Sequence, residues 1–319
     1  MDVLSDAITA MRTGMPHSSR TVKRAPWGLR FAASDGAGFH VVLQGSCWLT
    51  PPGGQQPIGL APGDVVFLAH GRGHGLADDP ATPLVDVVPG PHGSWVLGED
   101  VAAGSGPTTV LLCGAYRLNR ARAHPLLTGL PEVVHLPARI GVHPELRAAV
   151  DLLGGELARP GPGSDAVLPA LLDTLLLFIV RAWLRGDAEH AVTGWAAALG
   201  DPAIAEALHA IHDDPARPWT VRELGARAGL SRAAFARRFS TVVGQPPLAY
   251  LTWWRMTVAG RLLSSGADTP LRLVAQRSGY SSEFAFAKAF KREFGTSPGR
   301  YRNSSTSGGT GLGGVGDGR

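Results

Sequence analysis

An α+β multidomain architecture, with a β-rich N-terminal part, a helical connector and an all-helical C-terminal part, is predicted by three features of this 319-residue sequence. Its length calls for two or three domains at about 100 to 200 residues each. Between Trp27 and Pro137, short apolar runs alternate with Gly and Pro turns, the pattern of a small barrel or sandwich. From Asp201 onward every segment has helical periodicity, punctuated by Gly or Pro. Apolar residues make up 44% of the chain and charged residues 18%, enough to build buried cores and to exclude a disordered chain.

Residues 1–14 predict a short amphipathic helix, with Val3, Leu4, Ile8 and Met11 at helical spacing. Asp2 and Asp6 stand where a secretory signal would carry positive charge, and no apolar stretch follows them. The strand expectations are Phe39 to Leu49, Asp64 to Ala69, Leu84 to Val88, Ser94 to Leu97 and Thr109 to Cys113. Glu145 to Leu157 has helical periodicity. A Pro/Gly break then precedes a second apolar helix, Ala166 to Arg185, which Asp165 is placed to cap. Asp173 and Arg181 interrupt that helix, so it falls short of the ~20 apolar residues of a membrane span. Both helices carry more apolar side chains than a solvent-facing connector needs, which makes them candidates for a homodimer interface, with packing against the β-rich part as the alternative. Cys47 and Cys113 are too few for a disulfide framework or a thiolate zinc site, and a reducing cytoplasm is the expected location. Beyond Arg302 the Gly/Ser-rich tail has almost nothing to bury and is expected to be disordered. The domain expectation is therefore 1–143, a connector over 144–200, a helical domain over 201–302 and a tail over 303–319.

The net charge of +4 is unevenly spread. Residues 1–200 hold 14 Lys+Arg against 17 Asp+Glu, net −3, whereas residues 201–302 hold 15 against 8, net +7. A local basic excess beside an acidic neighbour suggests a polyanion partner for the C-terminal part alone.

That part contains two similar units. In the first, Thr220 and Glu223 form a capping box, Val221, Leu224 and Ala228 an apolar stripe, Gly229 a left-handed turn, and Ser231 the cap of a helix that buries Phe235 and Phe239. About 50 residues later Leu271, Val274 and Ala275 are followed by a turn at Gly279, a cap at Ser282, and Phe286, Phe290 and Phe294. Helix, short turn, helix, twice in register on the only basic part of the chain, is the pattern of paired helix-turn-helix motifs.

Over about residues 205–302 these motifs, with GYSS and FAKAFKREFGTSPGRYR, resemble the AraC/XylS family of bacterial transcription regulators. The resemblance implies seven helices that place two recognition helices in successive major-groove segments of double-stranded DNA, about one turn (~34 Å) apart. It assigns Arg232, Ala233, Ala236 and Arg237 of the first recognition helix, and Glu283, Phe284, Ala285, Ala287 and Lys288 of the second, to base reading. Ser231 and Ser282, at the helix starts, are placed to bond phosphate, with Lys291 and Arg292 as further phosphate contacts. Arg237 is the expected bidentate reader of guanine.

In the β-rich part, Gly63 to Asp78 resembles the second motif of the cupins, with Ala69 for its proline and Asp78 for its asparagine, and Phe39 to Gly45 resembles the end of the first motif. The similarity implies a cupin-type sensor barrel. Of the metal-binding set only His74 remains, because Ser34 to Phe39 occupy the upstream ligand positions, and one imidazole cannot hold a metal. No metal or other cofactor is expected. A three-His site of His40, His70 and His74 is the alternative, and the simpler readings are histidines satisfied in the barrel or polar groups in a pocket. His40, Gln44 and His74 are the candidate effector contacts, His40 and Gln44 sharing a face by strand alternation. The functional expectation is a sequence-specific DNA-binding regulator, not an enzyme, that responds to a small molecule. The rival is a cupin metalloenzyme fused to a DNA-binding module.

Overall fold

In a computed structural model the chain divides into two units: Met11–Val192, and Met1–Ala10 together with Thr193–Arg319. The structure describes residues 2–11, 16–34, 36–89, 95–97, 104–117, 124–186, 194–264 and 269–307.

Helix α1 (Val3–Met11), up to Ala10, belongs to the second of these units. This departs from the expected 1–143 sensor domain, and the cause is packing. Val3, Leu4, Ala7 and Ile8 are buried, and the buried Asp6 carboxylate pairs with His212.

The unit Met11–Val192 is built on strands β1 (His17–Arg24), β2 (Gly28–Phe31), β3 (Ala37–Gln44), β4 (Cys47–Thr50), β5 (Ile58–Leu60), β6 (Val65–Leu68), β7 (His74–Ala77), β8 (Val85–Pro89), β9 (Trp95–Leu97), β10 (Thr108–Tyr116) and β11 (Val134–Leu136). They form a five-stranded sheet in the order β1-β10-β3-β6-β11 and a six-stranded sheet in the order β5-β4-β7-β2-β8-β9. Trp27, Leu29, Phe31, Val42, Leu49, Leu76 and Leu111 come together between them in one buried cluster. The apolar run from Phe39 to Leu49 is two strands rather than one, and β-structure begins ten residues before Trp27, at His17. A register shift between Val110 and Leu111 gives β3 one extra residue there: Leu111 pairs with Val42 but Val110 with Gln44.

Helices α2 (Pro125–Thr128), α3 (Pro144–Ala158) and α4 (Ser164–Arg185) complete this unit. Leu146, Val150 and Leu153 of α3 and Leu172, Leu175, Leu176, Ile179 and Val180 of α4 are buried, the two helices lying on each other, on β1 and on β11. The Tyr116 hydroxyl donates to the Leu172 carbonyl at 2.7 Å, tying α4 to β10. The expected connector over 144–200 is therefore divided: α3 and α4 are part of the barrel unit, and α5 (Gly194–Gly200) is part of the other. By length and composition α4 is apolar enough to cross a membrane, more so than its sequence suggested. Asp165 lies in its first turn rather than at its cap, which is Gly163.

The other unit continues with α6 (Pro202–Asp213), α7 (Val221–Arg227), α8 (Arg232–Val243), α9 (Pro247–Ser264), α10 (Leu271–Arg277), α11 (Glu283–Phe294) and α12 (Pro298–Ser307). These are seven helices among the described residues from Pro202 onward. Helix α12 runs to Ser307, so the first residues of the tail expected over 303–319 are helical; residues 308–319, on which the rest of that expectation falls, lie outside the described residues.

Candidate functional site

The two helix-turn-helix motifs share a glycine turn and a serine cap, with one more residue between Gly279 and Ser282 than between Gly229 and Ser231. The Thr220 hydroxyl accepts from Glu223 N–H at 3.2 Å while the Glu223 carboxylate accepts from Thr220 N–H at 2.9 Å, closing the capping box of α7. The Thr220 hydroxyl also donates to that carboxylate at 2.7 Å, and this bond, followed by the one from Thr220 N–H, holds the Glu223 carboxyl below the usual carboxylate range. Leu230 N–H donates to Gly225 O at 2.8 Å, and Tyr280 N–H to Ala275 O at 2.9 Å. Gly229 and Gly279 turn the chain at φ +67° and +75°, a region where a Cβ is strained. Ser231 and Ser282 then cap α8 and α11, their hydroxyl oxygens accepting from Ala234 and Ala285 N–H at 3.3 and 3.1 Å.

Each cap starts a two-faced helix. Phe235 and Phe239 of α8, and Phe286 and Phe290 of α11, are fully buried. Arg232, Ala233 and Arg237 on the first helix, and Glu283, Phe284, Lys288, Lys291 and Arg292 on the second, face water; Ala236 and Ala287 are half-buried. Arg238 is held by Asp201 at 2.5 Å and Arg292 by Glu293 at 3.3 Å. Arg232, Arg237, Lys288 and Lys291 make no ion pair among the described residues, so their charge is available to an outside anion.

Residues that the sequence reading passed over join the two motifs. Arg255, on the linking helix α9, donates to the carbonyls of Pro215, Ala216 and Arg217 at 2.6, 3.4 and 2.8 Å, and its guanidinium lies beside the Gly279 turn. The only sequence signal for this was an arginine in the middle of a mainly apolar helix.

In the barrel, strand register brings His40 opposite Cys113. His40 Nδ1 is 3.0 Å from Cys113 Sγ, His40 Nε2 is 2.7 Å from His74 Nε2, and His74 Nδ1 is 3.3 Å from the Arg72 carbonyl. A carbonyl only accepts, which fixes every proton in the series. His74 donates from Nδ1 to Arg72, His40 donates from Nε2 to His74, and the Cys113 thiol donates to His40 Nδ1. Burial, and then the neighbouring His74, holds the His40 ring well below the usual imidazole range. Burial also lowers His74 to about 4, against the opposing pull of the Arg72 hydrogen bond, and raises the Cys113 thiol to about 12. All three groups are thus uncharged at neutral pH.

The three-His alternative fails on geometry. His70 Nε2 bonds the Leu130 carbonyl at 2.9 Å, away from the other two. A metal needs several lone pairs aimed at one point. His40 and His74 aim their Nε2 atoms at each other, and Cys113 sits on the opposite side of the His40 ring. Among the described residues there is no group of three or more His, Cys, Asp or Glu able to hold a metal. The residues present do not fit a cupin metal centre. Gln44 is also corrected: the extra residue of β3 breaks the two-residue alternation, leaving Gln44 exposed opposite Val110 while His40 stays inside. Beside His74 opens a cleft of about 570 Å³ lined by Phe31, Pro51, Pro52, Leu84 and Val87, with the Arg30–Asp86 pair (3.2 Å) at its rim. Phe31 stacks on the His74 ring at 4.8 Å.

Paired helix-turn-helix motifs with free basic side chains, on a chain that also carries a cupin-type barrel, define a DNA-binding transcription regulator. The family described as Cupin matches residues 2–185, and that described as Helix-turn-helix domain matches residues 224–304. A putative AraC-like transcription regulator of Streptomyces lividans is 38% identical over 310 residues, covering 96% of this chain and 99% of that protein. The regulator AlkR of Acinetobacter baylyi is 30% identical, covering 96% and 100%. Among solved structures, the DNA-binding domain of AdpA in complex with a target DNA is 34% identical, covering 34% of this chain and 95% of that one, at a TM-score of 0.31. The chain belongs to the AraC family of transcription regulators.

Proposed function

We propose that this regulator reads DNA through α8 and α11 and adjusts that reading to a small, largely apolar molecule bound in the barrel cleft beside His74. The observation that carries the DNA reading is the set of unpaired cations, Arg232, Arg237, Lys288 and Lys291, on the outward faces of two capped helices whose inward faces are phenylalanine. Arg232, Ala233, Ala236 and Arg237 meet base edges in one groove segment, and Glu283, Phe284 and Lys288 in the next. The hydroxyl protons of Ser231 and Ser282 remain free to donate to phosphate, since only the oxygens serve the caps. Lys291 and Arg292 add phosphate contacts, Arg292 by leaving Glu293.

The barrel is read as acting by binding: His40, His74 and Cys113 form a neutral hydrogen-bond series, and among the described residues no three ligating groups meet to hold a metal. An effector can change DNA binding only through a difference in its affinity for two arrangements of the protein. The working form is a homodimer in the cytoplasm, joined through α3 and α4, where Leu152 is 62% exposed and Val167 is also exposed. Titration of the full chain against the upstream region of its own gene and against random duplex tests the reading. Binding to both with equal affinity would refute sequence-specific regulation, and a monomer at micromolar concentration would refute the dimer.

A further inference from the structure

The two recognition helices differ at one position that polar readout does not explain. Two residues after the cap stands Ala233 in α8 and Phe284 in α11. Phe284 is 82% exposed, whereas Phe286 and Phe290 on the same helix are fully buried. Helix geometry accounts for the contrast: at about 100° per residue, Phe284 lies roughly 200° around the axis from Phe286 and faces away from the core. Lys288, one turn on, shares its side, and Lys291 follows a turn later. A water-facing phenylalanine in line with two free lysines has no packing role within its own domain.

We infer that Phe284 reads sequence by apolar contact, packing its ring on the C5 methyl group of a thymine while Lys288 and Lys291 neutralise the flanking phosphates. This rests on α11 being the second recognition helix. The thymine methyl is the apolar group that base pairs present in the major groove, so a phenylalanine entering there has one chemical partner. Glu283, beside it, is repelled by phosphate and accepts from a cytosine amine, which directs the first turn of α11 at base edges rather than at the backbone. At the matching positions α8 offers Arg232 and Ala233, with Arg237 further along. The operator segment under α8 is accordingly read by hydrogen bonds to guanine, and the segment under α11 by a methyl group.

The test uses the full chain and duplexes that it selects from a random-sequence pool. Each thymine of the selected site is replaced in turn by deoxyuridine, which lacks only the methyl group. One position is expected to lose about fourfold in affinity, the factor equivalent to ~0.8 kcal/mol for one buried methyl-sized group. Phe284→Ala is expected to abolish the thymine-over-uracil ratio there, both affinities being measured with the same variant, while Phe284→Leu keeps part of the ratio. The buried Phe286 and Phe290 keep both variants folded, which a thermal melt verifies. The inference is overturned if no thymine shows the loss, or if Phe284→Ala retains the full ratio. An altered oligomeric state in Phe284→Ala with that ratio intact would assign the ring to a protein contact and overturn it equally. Failure to enrich any sequence would instead remove the DNA reading on which the inference rests.

Discussion

The Asp6 carboxylate lies 3.3 Å from Nδ1 of His212, although 206 residues separate the two along the chain. On its other side His212 Nε2 is 2.7 Å from the Tyr250 hydroxyl, and the ring stacks on Trp254 at 3.9 Å. Burial lowers the His212 pKa, outweighing the opposite pull of Asp6. The neutral ring therefore donates from Nδ1 to Asp6 and accepts the Tyr250 proton at Nε2, and α1 closes the hydrogen bonding of a domain encoded at the far end of the gene.

Removing that acceptor leaves a buried N–H unsatisfied. Asp6→Ala is expected to cost about 1–3 kcal/mol, read by calorimetry of the full chain as a lower Tm of the helical unit with the barrel transition unmoved. Asp6→Asn, which keeps a carbonyl acceptor, is expected to lose less. Equal losses in the two variants would show that the hydrogen bond is not what seats α1.

Binding of the full chain to its operator is expected to weaken steeply between about 50 and 200 mM salt, because each neutralised phosphate releases counterions. Arg237→Ala is expected to cost about 1–3 kcal/mol and to relax preference at one base pair, whereas Lys291→Ala weakens all sequences alike and flattens the salt slope. Fluorescence anisotropy on specific and random duplex separates the two patterns, and equal losses for Arg237→Ala on both would take it out of base reading.

Gly229 and Gly279 share a left-handed φ but not their surroundings. A Cβ on Gly229 meets nothing within 4 Å, whereas one on Gly279 would sit 2.7 Å from the Arg255 guanidinium and 2.9 Å from the Ala216 carbonyl. Gly229→Ala is expected to cost about 1 kcal/mol of backbone strain. Gly279→Ala is expected to cost clearly more and to weaken DNA binding as well, since Arg255 must shift. Urea denaturation of both variants decides it: similar midpoints would mean that Arg255 moves aside freely.

Acid is expected to destabilise the barrel through its histidines. His74 titrates at about 4 when folded and at about 6.5 when unfolded, so below the unfolded value the unfolded state binds more protons and stability falls with pH. The contribution is complete above about pH 6.5 and amounts to a loss of about 2 kcal/mol at pH 5 from His74 alone. His40, also lowered, acts in the same direction. Denaturation of His74→Leu between pH 7 and pH 5 measures this. A slope as steep as that of the native chain would rule out His74 as its source.

The helix-turn-helix motifs were legible because their signals are local: a cap, a turn glycine and phenylalanines four apart all lie within twenty residues. Strand β1 was not, since HSSRTVKR has almost no apolar alternation and becomes a strand only by pairing along β10. Gln44 was misplaced for a related reason, because the extra residue in β3 is a property of the pairing with β10 and leaves no mark in β3 alone. His40 and His74 were picked out from the sequence, but Cys113 as their partner depends on strand register, and strand register is long-range information. The amphipathic face of α1 was visible while its destination was not.

That destination sets an order of events at the ribosome. Asp6 is made first, and its partner His212 is made 206 residues later, roughly 10–40 s at 5–20 residues per second. The barrel emerges during that interval and can fold as an insertion between the two pieces of the helical unit. A chain halted after the barrel would lack the whole unit with which Val3, Leu4, Ala7 and Ile8 are grouped, and would hold four apolar side chains at its start with that unit still unmade.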